Sequence, residues 1–192
     1  MKKLLLSSLL LASLAIPASA QLQCMFTTAP TTEGTATINS DNYGIGLIGI
    51  EISVSCTTSF VAYNVVSVDN SAKTYDLGLY CVSGTCTPGK LYVHTGALPG
   101  SAFAPTTGMT PQPWTSSGVL LPAGVYAVGV GTNCSGGSCA QISGDSDSGQ
   151  ILPFFVNPGG TYSGGLPSSV TPPFIDPVAS TPTIKMPSLL IY

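Results

Sequence analysis

IGIEISVSC, at residues 48–56, is the stretch that decides the fold class of this chain. Its apolar side chains recur at every second position, and glycine, glutamate and serine fall between them. This period of two is typical of a half-buried β-strand, because successive side chains of a strand point to opposite faces. The segment therefore predicts a strand that carries Cys56 on its inward face.

Similar segments follow along the chain. KTYDLGLYC (73–81) alternates in the same way, and VYAVGVG (125–131) follows a Pro-Ala-Gly turn. Further strands are predicted at 60–68, 90–94 and 119–121, with weaker patterns at 140–143 and 150–156 and a long loop at 96–113. No segment after residue 20 has the 3.6-residue period of a helix. Many short strands predict an all-β fold, an antiparallel β-sandwich of jelly-roll type with disulfide-clipped hairpins.

The first twenty residues have the features of a secretory signal peptide. Two lysines precede an apolar run at 4–16, and ASA at 18–20 supplies the small residues that signal peptidase requires. The apolar run is too short to span a bilayer. We therefore expect residues 1–20 to be removed, no membrane insertion afterwards, and a protein that is secreted or at the cell surface, in a periplasmic or extracellular compartment.

The mature chain is expected to contain one β-sandwich domain, residues 21–157, and a proline-rich extended segment, residues 158–192. This second segment holds seven prolines, which disfavour a central strand or a helix. It ends on the apolar sequence LLIY (189–192), so a freely solvated tail is not expected either. We expect it to lie along its own domain or along a neighbouring subunit, where it would mediate self-assembly.

All six cysteines follow the signal peptide, and an even number in an exported chain indicates disulfides. Cys81 and Cys86 enclose four turn-forming residues, as do Cys134 and Cys139, so each pair can meet across a tight hairpin. This leaves Cys24 to pair with Cys56. The alternative is a zinc site formed by the four cysteines of the two Cys-x4-Cys pairs. Disulfides are favoured because thiols in an oxidising compartment usually pair with each other.

Charge is sparse in the mature chain, which has no arginine. Three lysines and eight acidic residues give it a net charge of −5. Proteins that bind nucleic acid need a basic surface that displaces counterions from phosphates. We therefore exclude nucleic acid as a partner, and the acidic balance also disfavours anionic membrane surfaces.

A set of strand and turn motifs runs through the C-terminal two thirds of the chain, residues 60–192. They are YDLGLY (75–80), GKLYVHTG (89–96), WT (114–115) and LLPAGVYAV (120–128), with GLPSS (165–169) and PTI (182–184) near the end. In these motifs the chain resembles the jelly-roll modules of bacteriophage virion proteins, found in head decorations and tail appendages. The resemblance implies a structural, virion-like role. The signal peptide and the cysteines depart from that family and favour an exported, cellular relative.

A second resemblance involves the N-terminal cysteines. Cys24 precedes Cys56 by about thirty residues, and Cys56 ends the strand-like IEISVSC (50–56). This arrangement is similar to exported fimbrial subunits of the chaperone-usher and spore-coat-U type, in which a disulfide joins the first two strands. It implies a subunit of a fimbria-like polymer. Pro182 and Pro187 depart from the alternating final strand of those subunits.

A catalytic hypothesis depends on His94, the only histidine. Ser146, within GDS (144–146), would combine with His94 and one aspartate as a hydrolase triad. Asp147, however, occupies the position where the trypsin-like motif requires glycine, and no Gly-x-Ser-x-Gly motif occurs in the chain. We therefore favour a protein that is not an enzyme, with His94 as an outward strand residue and without a cofactor; a hydrolase is the remote alternative.

The sequence contains two candidate ligand sites. DSDSG (145–149) resembles the start of a calcium loop with Asp145 and Asp147 as ligands, but Val156 stands where the twelfth position requires glutamate. We favour a polar turn between strands as the explanation of this segment, with a weak calcium site as the alternative.

Trp114 lies in a proline-rich loop, with Phe103 and Tyr92 as candidate neighbours that would stack on a glycan. The alternative for Trp114 is a lid over the core. The sequence thus predicts a surface structural or adhesion module whose partner is a glycan or surface receptor.

Overall fold

The computed structural model describes residues 22–27, 33–37, 44–63, 65–67, 73–103, 110–134, 141–145, 155–156, 162, 164–171, 186–187 and 189–192. The described part contains sixteen strands and a single short 3₁₀ helix, Gly100–Phe103. The strands are β1 (Phe26–Thr27), β2 (Glu33–Thr37), β3 (Gly44–Ile52), β4 (Cys56–Thr58), β5 (Phe60–Tyr63), β6 (Val65–Ser67), β7 (Thr74–Gly84), β8 (Leu91–His94), β9 (Leu98–Pro99), β10 (Thr110–Pro113), β11 (Val119–Leu121), β12 (Gly124–Thr132), β13 (Gln141–Asp145), β14 (Phe155–Val156), β15 (Met186–Pro187) and β16 (Leu189–Ile191).

The largest sheet, called the central sheet here, has the strand order β14-β3-β12-β7-β8, and β9 also pairs with β7. All of its ladders are antiparallel. The longest ladder joins β12 to β7, from Gly124 opposite Gly84 to Thr132 opposite Tyr75. These strands carry the predicted alternation, since Leu77 and Leu79 of β7 are buried on the core side. The predicted all-β class, with antiparallel sheets and almost no helix in the described residues, is confirmed.

A second sheet, called the terminal sheet here, has the order β1-β16-β5-β10 and is also antiparallel. Two smaller sheets consist of β4 with β11 and of β13 with β15, β2 and β6. One cluster of buried side chains joins the central and terminal sheets. It includes Ile50, Ile52, Val61, Tyr63, Leu77, Leu79, Val93, Trp114, Leu121, Tyr126, Val128 and Ile191.

The strand predicted at 48–56 is interrupted. Strand β3 ends at Ile52, the chain turns over residues 53–55, and Cys56 begins β4 in a different sheet, paired with β11. Val54 is therefore exposed, although the alternation places it inward. The prediction was wrong here because a two-residue period in the sequence does not show the point at which a chain leaves one sheet and enters another. Cys56 itself is buried, as expected.

The predicted loop at 96–113 also contains structure. Strand β9, the 3₁₀ helix and β10 lie within it. Strand β10 contains Pro111 and Pro113, and it lies at the edge of the terminal sheet, the position where proline is tolerated because one side of the strand has no partner.

The tail also departs from expectation. Strand β16 lies between β1 and β5 in the interior of a sheet, although its segment was expected to form no central strand. Leu189–Ile191 contains no proline, so each of its residues can pair on both sides. The described residues 162 and 164–171 instead lie on the central sheet of the same chain, which is one of the two locations expected for this segment.

Candidate functional site

The most unusual group in the described structure is the carboxylate of Asp76, which is completely buried. It lies on the outer face of β7, opposite the core side. Its Oδ2 is 3.0 Å from Nδ1 of His94 and accepts a hydrogen bond of 2.9 Å from the backbone N–H of Leu166. Its Oδ1 is 3.3 Å from the hydroxyl of Thr95, whose single hydrogen is shared with the carbonyl of Gly96 at 3.1 Å. These donors replace water that a buried anion loses.

The end of β8 brings two of these donors to β7. Gly78 lies opposite His94 in the ladder, so the imidazole is on the same face as the carboxylate two residues earlier. The backbone N–H of Thr95 donates to the carbonyl of Leu77, and the N–H of Leu77 donates to the Thr95 hydroxyl. Because an ionised carboxylate only accepts, this geometry assigns the proton to Nδ1 of His94.

The third donor comes from the tail. Residues 164–171, called the strap here, run along β8. The N–H of Leu91 donates to the carbonyl of Ser168, and the N–H of Val170 donates to the carbonyl of Gly89. The hydroxyl of Tyr80 donates to the carbonyl of Pro167 at 2.6 Å. The strap is therefore held by backbone pairing at one end and by side chains of β7 at the other.

Three glycines make room for the strap and Tyr162 on the outer face. A Cβ at Gly78 would lie 2.8 Å from a methyl carbon of Leu166, and a Cβ at Gly131 would lie 2.6 Å from the ring of Tyr162. At Gly129 a Cβ would lie 2.5 Å from the Tyr80 ring. A close approach of this kind is one of the reasons for glycine within a strand. The result is a second apolar cluster, which includes Tyr80, Ala127, Leu166 and Val170.

The carboxylate also affects a neighbouring phenol. Burial raises the pKa of Tyr162, and the charge of Asp76 acts in the same direction, while the side chain of Thr74 partly offsets the rise. Both effects disfavour a second negative charge beside the buried carboxylate. The cluster is therefore suited to a single anion that is fixed by neutral donors.

An aspartate bonded to Nδ1 of a histidine is the arrangement that orients the base of a hydrolase triad. The structure thus identifies Asp76 as the acidic partner of His94. His94 is half-buried, with 32% of its side chain exposed, and bonded, not simply outward-facing as expected. Among the described residues, no serine or threonine hydroxyl bonds to its ring, and Ser146 lies outside them. The Asp76 carboxylate of this pair also binds the backbone N–H of Leu166 in the strap.

Sequence reasoning did not single out this cluster. The available signal was an acidic residue inside the alternating segment YDLGLY (75–80) together with glycines at every second position of VGVG (128–131). Glycines spaced by two on one strand face indicate a close contact with another segment. They do not indicate which segment makes that contact.

The residues predicted to bind glycan are placed differently. Trp114 is only 4% exposed, belongs to the core cluster and donates from Nε1 to the hydroxyl of Thr58 at 2.8 Å. The structure therefore shows the lid over the core, the alternative to a stacking platform. The reason is that Trp114 follows edge strand β10, and its backbone N–H donates to the carbonyl of Ser59.

Tyr92 is half-buried, and its side chain contacts residues of its own hairpin and of strand β12. Its hydroxyl accepts a bond from the N–H of Thr87, its ring meets Tyr126 edge to face at 5.6 Å, and the ammonium of Lys90 lies 4.9 Å from its centroid. Phe103 ends the 3₁₀ helix, and its side chain lies outside what the structure describes. Trp114 and Tyr92 thus contact the same core and do not form an exposed aromatic surface.

Only part of the candidate calcium site, the backbone of Asp145, lies within the described residues. Asp145 ends β13, where its backbone pairs with Glu33 and Met186. Its side chain and Asp147 lie outside the described part of the chain. The described residues contain no cluster of three or more potential metal ligands.

Two disulfides join the cysteines that the spacing predicts, Cys24 with Cys56 and Cys81 with Cys86. Cys134 is also disulfide-bonded, and its predicted partner, Cys139, lies outside the described residues. Disulfides persist in oxidising compartments, so these bonds indicate an extracellular type of environment.

No protein-family model, curated protein or solved structure matches this chain. The helical content gives one further finding. Among the residues that the structure describes, no helix has the length and apolarity needed to cross a membrane.

Proposed function

We propose that the chain is a secreted, non-enzymatic surface structural or adhesion module, built as a β-sandwich of jelly-roll type. The observation that carries this proposal is the use of the Asp76–His94 pair. Its buried carboxylate accepts from the backbone N–H of Leu166 and lies within bonding distance of a histidine and a hydroxyl, so it fixes the strap to the sheet. We infer that the Asp76–His94 pair, which would be the best placed for acid–base chemistry, has a structural role.

Three other features support an exported module. The disulfides fit an oxidising compartment, and the first twenty residues fit a signal peptide. The shared core of the central and terminal sheets fits a two-layer sandwich. With Trp114 buried, a glycan or surface receptor would be bound by loops rather than by that indole.

Immunogold electron microscopy tests this function, with antibody raised against residues 21–192 and applied to the cells that produce the protein. Label on the cell envelope or on filaments supports a surface module. Label on phage particles supports the virion relationship instead. Label confined to the cytoplasm contradicts the proposal, and the matched control is the same culture with the coding sequence deleted.

The second candidate is a subunit of a fimbria-like polymer. It is favoured by the position of β16, which is a short segment from the far end of the sequence in the interior of the terminal sheet. The two candidates differ in size in solution. A polymer subunit gives high-mass species that survive dilution in light scattering, whereas an adhesion module stays monomeric or forms a small closed oligomer.

A further inference from the structure

Strand β16 fills a slot between two other strands. Its residues pair with β5 from Leu189 opposite Tyr63 to Ile191 opposite Val61, and with β1 through Ile191 opposite Phe26. Just beyond the strand, the carbonyl of Tyr192 accepts bonds from the N–H groups of Ser59 and Phe60 and from the Thr58 hydroxyl, and the Tyr192 N–H donates to Phe60. Without β16, the facing edges of β1 and β5 would be unpaired and Ile191 would be missing from the core.

The binding of β16 in this slot is largely by backbone pairing. Three residues supply the strand, and all of its partners lie more than 120 residues earlier in the sequence. The same strand from another copy would make identical contacts, which is the condition for exchange of an element between protomers. Strand addition of this type derives affinity from main-chain hydrogen bonds and specificity from alternate side chains.

The surroundings of the slot are apolar and uncovered. Met25, which precedes β1, is 81% exposed, and Phe60, which begins β5, is 38% exposed and stacks on Tyr192 at 5.5 Å. Leu22 and Leu120 are also exposed and lie on either side of Thr57, one through a backbone bond and the other through the β4–β11 ladder. These four side chains carry no charge, and a group of exposed apolar side chains is a candidate for contact with another protein surface.

The length of the connecting sequence permits exchange. The described chain ends its strap at Thr171 and resumes at Met186. The residues between them can span at most about 50 Å when fully extended. Proline-rich sequences act as spacers rather than as tight returns. This length is enough for β16 to reach the slot of a copy that contacts these apolar residues.

We propose that the slot between β1 and β5 accepts the β16 strand of a second copy of this chain. The exchange joins copies through the terminal sheet and covers Met25, Phe60 and Leu120 at the contact between them. This proposal rests on the polymer-subunit form of the proposed function. It leaves the central sheet and the strap of each copy intact.

A cross-strand disulfide tests the exchange in the full mature chain. Ala62 and Leu190 are opposite each other in the β5–β16 ladder, at a separation that a disulfide can bridge. The double variant Ala62→Cys/Leu190→Cys is produced in an oxidising compartment and analysed on a non-reducing denaturing gel. Exchange gives a ladder of covalent oligomers that collapses on reduction. A single band at monomer mass, containing an intrachain Ala62–Leu190 cross-link by peptide mapping, overturns the proposal.

Two single variants guard against a folding failure of the double variant. Ala62→Cys with one affinity tag and Leu190→Cys with another are mixed, and only exchange between copies can join the two tags covalently. Absence of the joined product, when circular dichroism shows that both variants are folded, overturns the exchange. Envelope or filament label in the immunogold experiment would then still support the proposed function, so the two failures are distinguishable.

Discussion

The central and terminal sheets differ in how their strands are assembled. The core of the central sheet consists of β7 and β12, which are eleven and nine residues long and pair along nearly their whole length. The terminal sheet consists of strands of two to four residues, of which β1 and β16 come from the two ends of the described chain and β5 and β10 from its interior. The long alternating pattern of β7 and β12 specifies the central sheet. The terminal sheet forms only when short segments that are distant in the sequence come together.

The tail is bound to the two sheets by different interactions. The strap depends on specific side chains, since the Asp76 carboxylate holds Leu166 and glycines provide the space. Strand β16 depends mainly on main-chain pairing with β1 and β5. Substitutions of single side chains should therefore disturb the strap more than they disturb β16. The predictions below test this comparison.

The largest expected effect concerns the disulfides. Cys24–Cys56 ties the segment before β1 to β4 across 32 residues, and Cys81–Cys86 clips the end of β7 across five. Because a longer loop loses more entropy when closed, replacing the first pair by serine should lower the free energy of unfolding by about 4 kcal/mol and the second by about 2 kcal/mol. Urea unfolding of the two double variants measures this, and equal losses would contradict the comparison.

The next effect concerns the anchor of the strap. Asp76→Ala leaves the N–H of Leu166 and the imidazole N–H of His94 without the carboxylate that accepts from them, so we expect a loss of about 3 kcal/mol. Hydrogen exchange should show faster exchange at Leu166 and Val170. Glu51→Ala is the matched control, since it removes one exposed carboxylate and should change stability by less than about 0.5 kcal/mol. Unchanged protection of the strap in Asp76→Ala would show that the carboxylate does not hold it.

A smaller effect is expected at the glycines under the tail. Gly131→Ala places a methyl group against the Tyr162 ring and should cost about 2 kcal/mol through overpacking. Gly165→Ala, within the strap, meets no atom within 4 Å and should be close to neutral. Thermal unfolding of both variants is the measurement. If the two variants have the same midpoint, close packing of the tail on the sheet is not what requires Gly131.

The smallest effect concerns Trp114, which directly follows the edge strand β10 of the terminal sheet. Trp114→Phe removes the bond to the Thr58 hydroxyl but keeps an aromatic ring in the core, so we expect a loss of about 1 kcal/mol. Glycan-array binding, if the wild-type chain shows any, should be unchanged because the indole is buried. Lost glycan binding in a variant with wild-type stability would restore Trp114 as a ligand residue. Tyr92→Phe serves as a control that alters a half-exposed aromatic residue.

Much of the central sheet was predictable. The alternation in 73–81 and 125–131 gave β7 and β12, since long strands with one face on the core carry a strong period of two. Cysteine spacing gave both pairs seen in the described residues. The prediction was less successful at 48–56 and at 96–113, where the chain changes sheets and where short edge strands contain proline.

The candidate site was predictable only in part. His94 was recognised as the only histidine, but its partner could not be chosen among eight acidic residues. The choice of Asp76 follows from the β7–β8 register and from the arrival of Leu166, which is 90 residues away in the sequence. Trp114 illustrates the opposite case, because a loop position next to prolines does not reveal whether the ring points to solvent or to the core.

The sequence by itself determined the β class, the disulfide pairs seen here and the low charge of the chain, because these depend on local periodicity, spacing and composition. Only the tertiary structure decided where the tail is bound, which aspartate is buried and which aromatic residues are covered. The physical reason is that burial and hydrogen-bond partners are set by segments that lie from about twenty to more than a hundred residues apart in the sequence. Two short tail segments, the strap and β16, supply contacts of this kind to the two sheets. Neither segment has a periodic pattern long enough to predict where it binds.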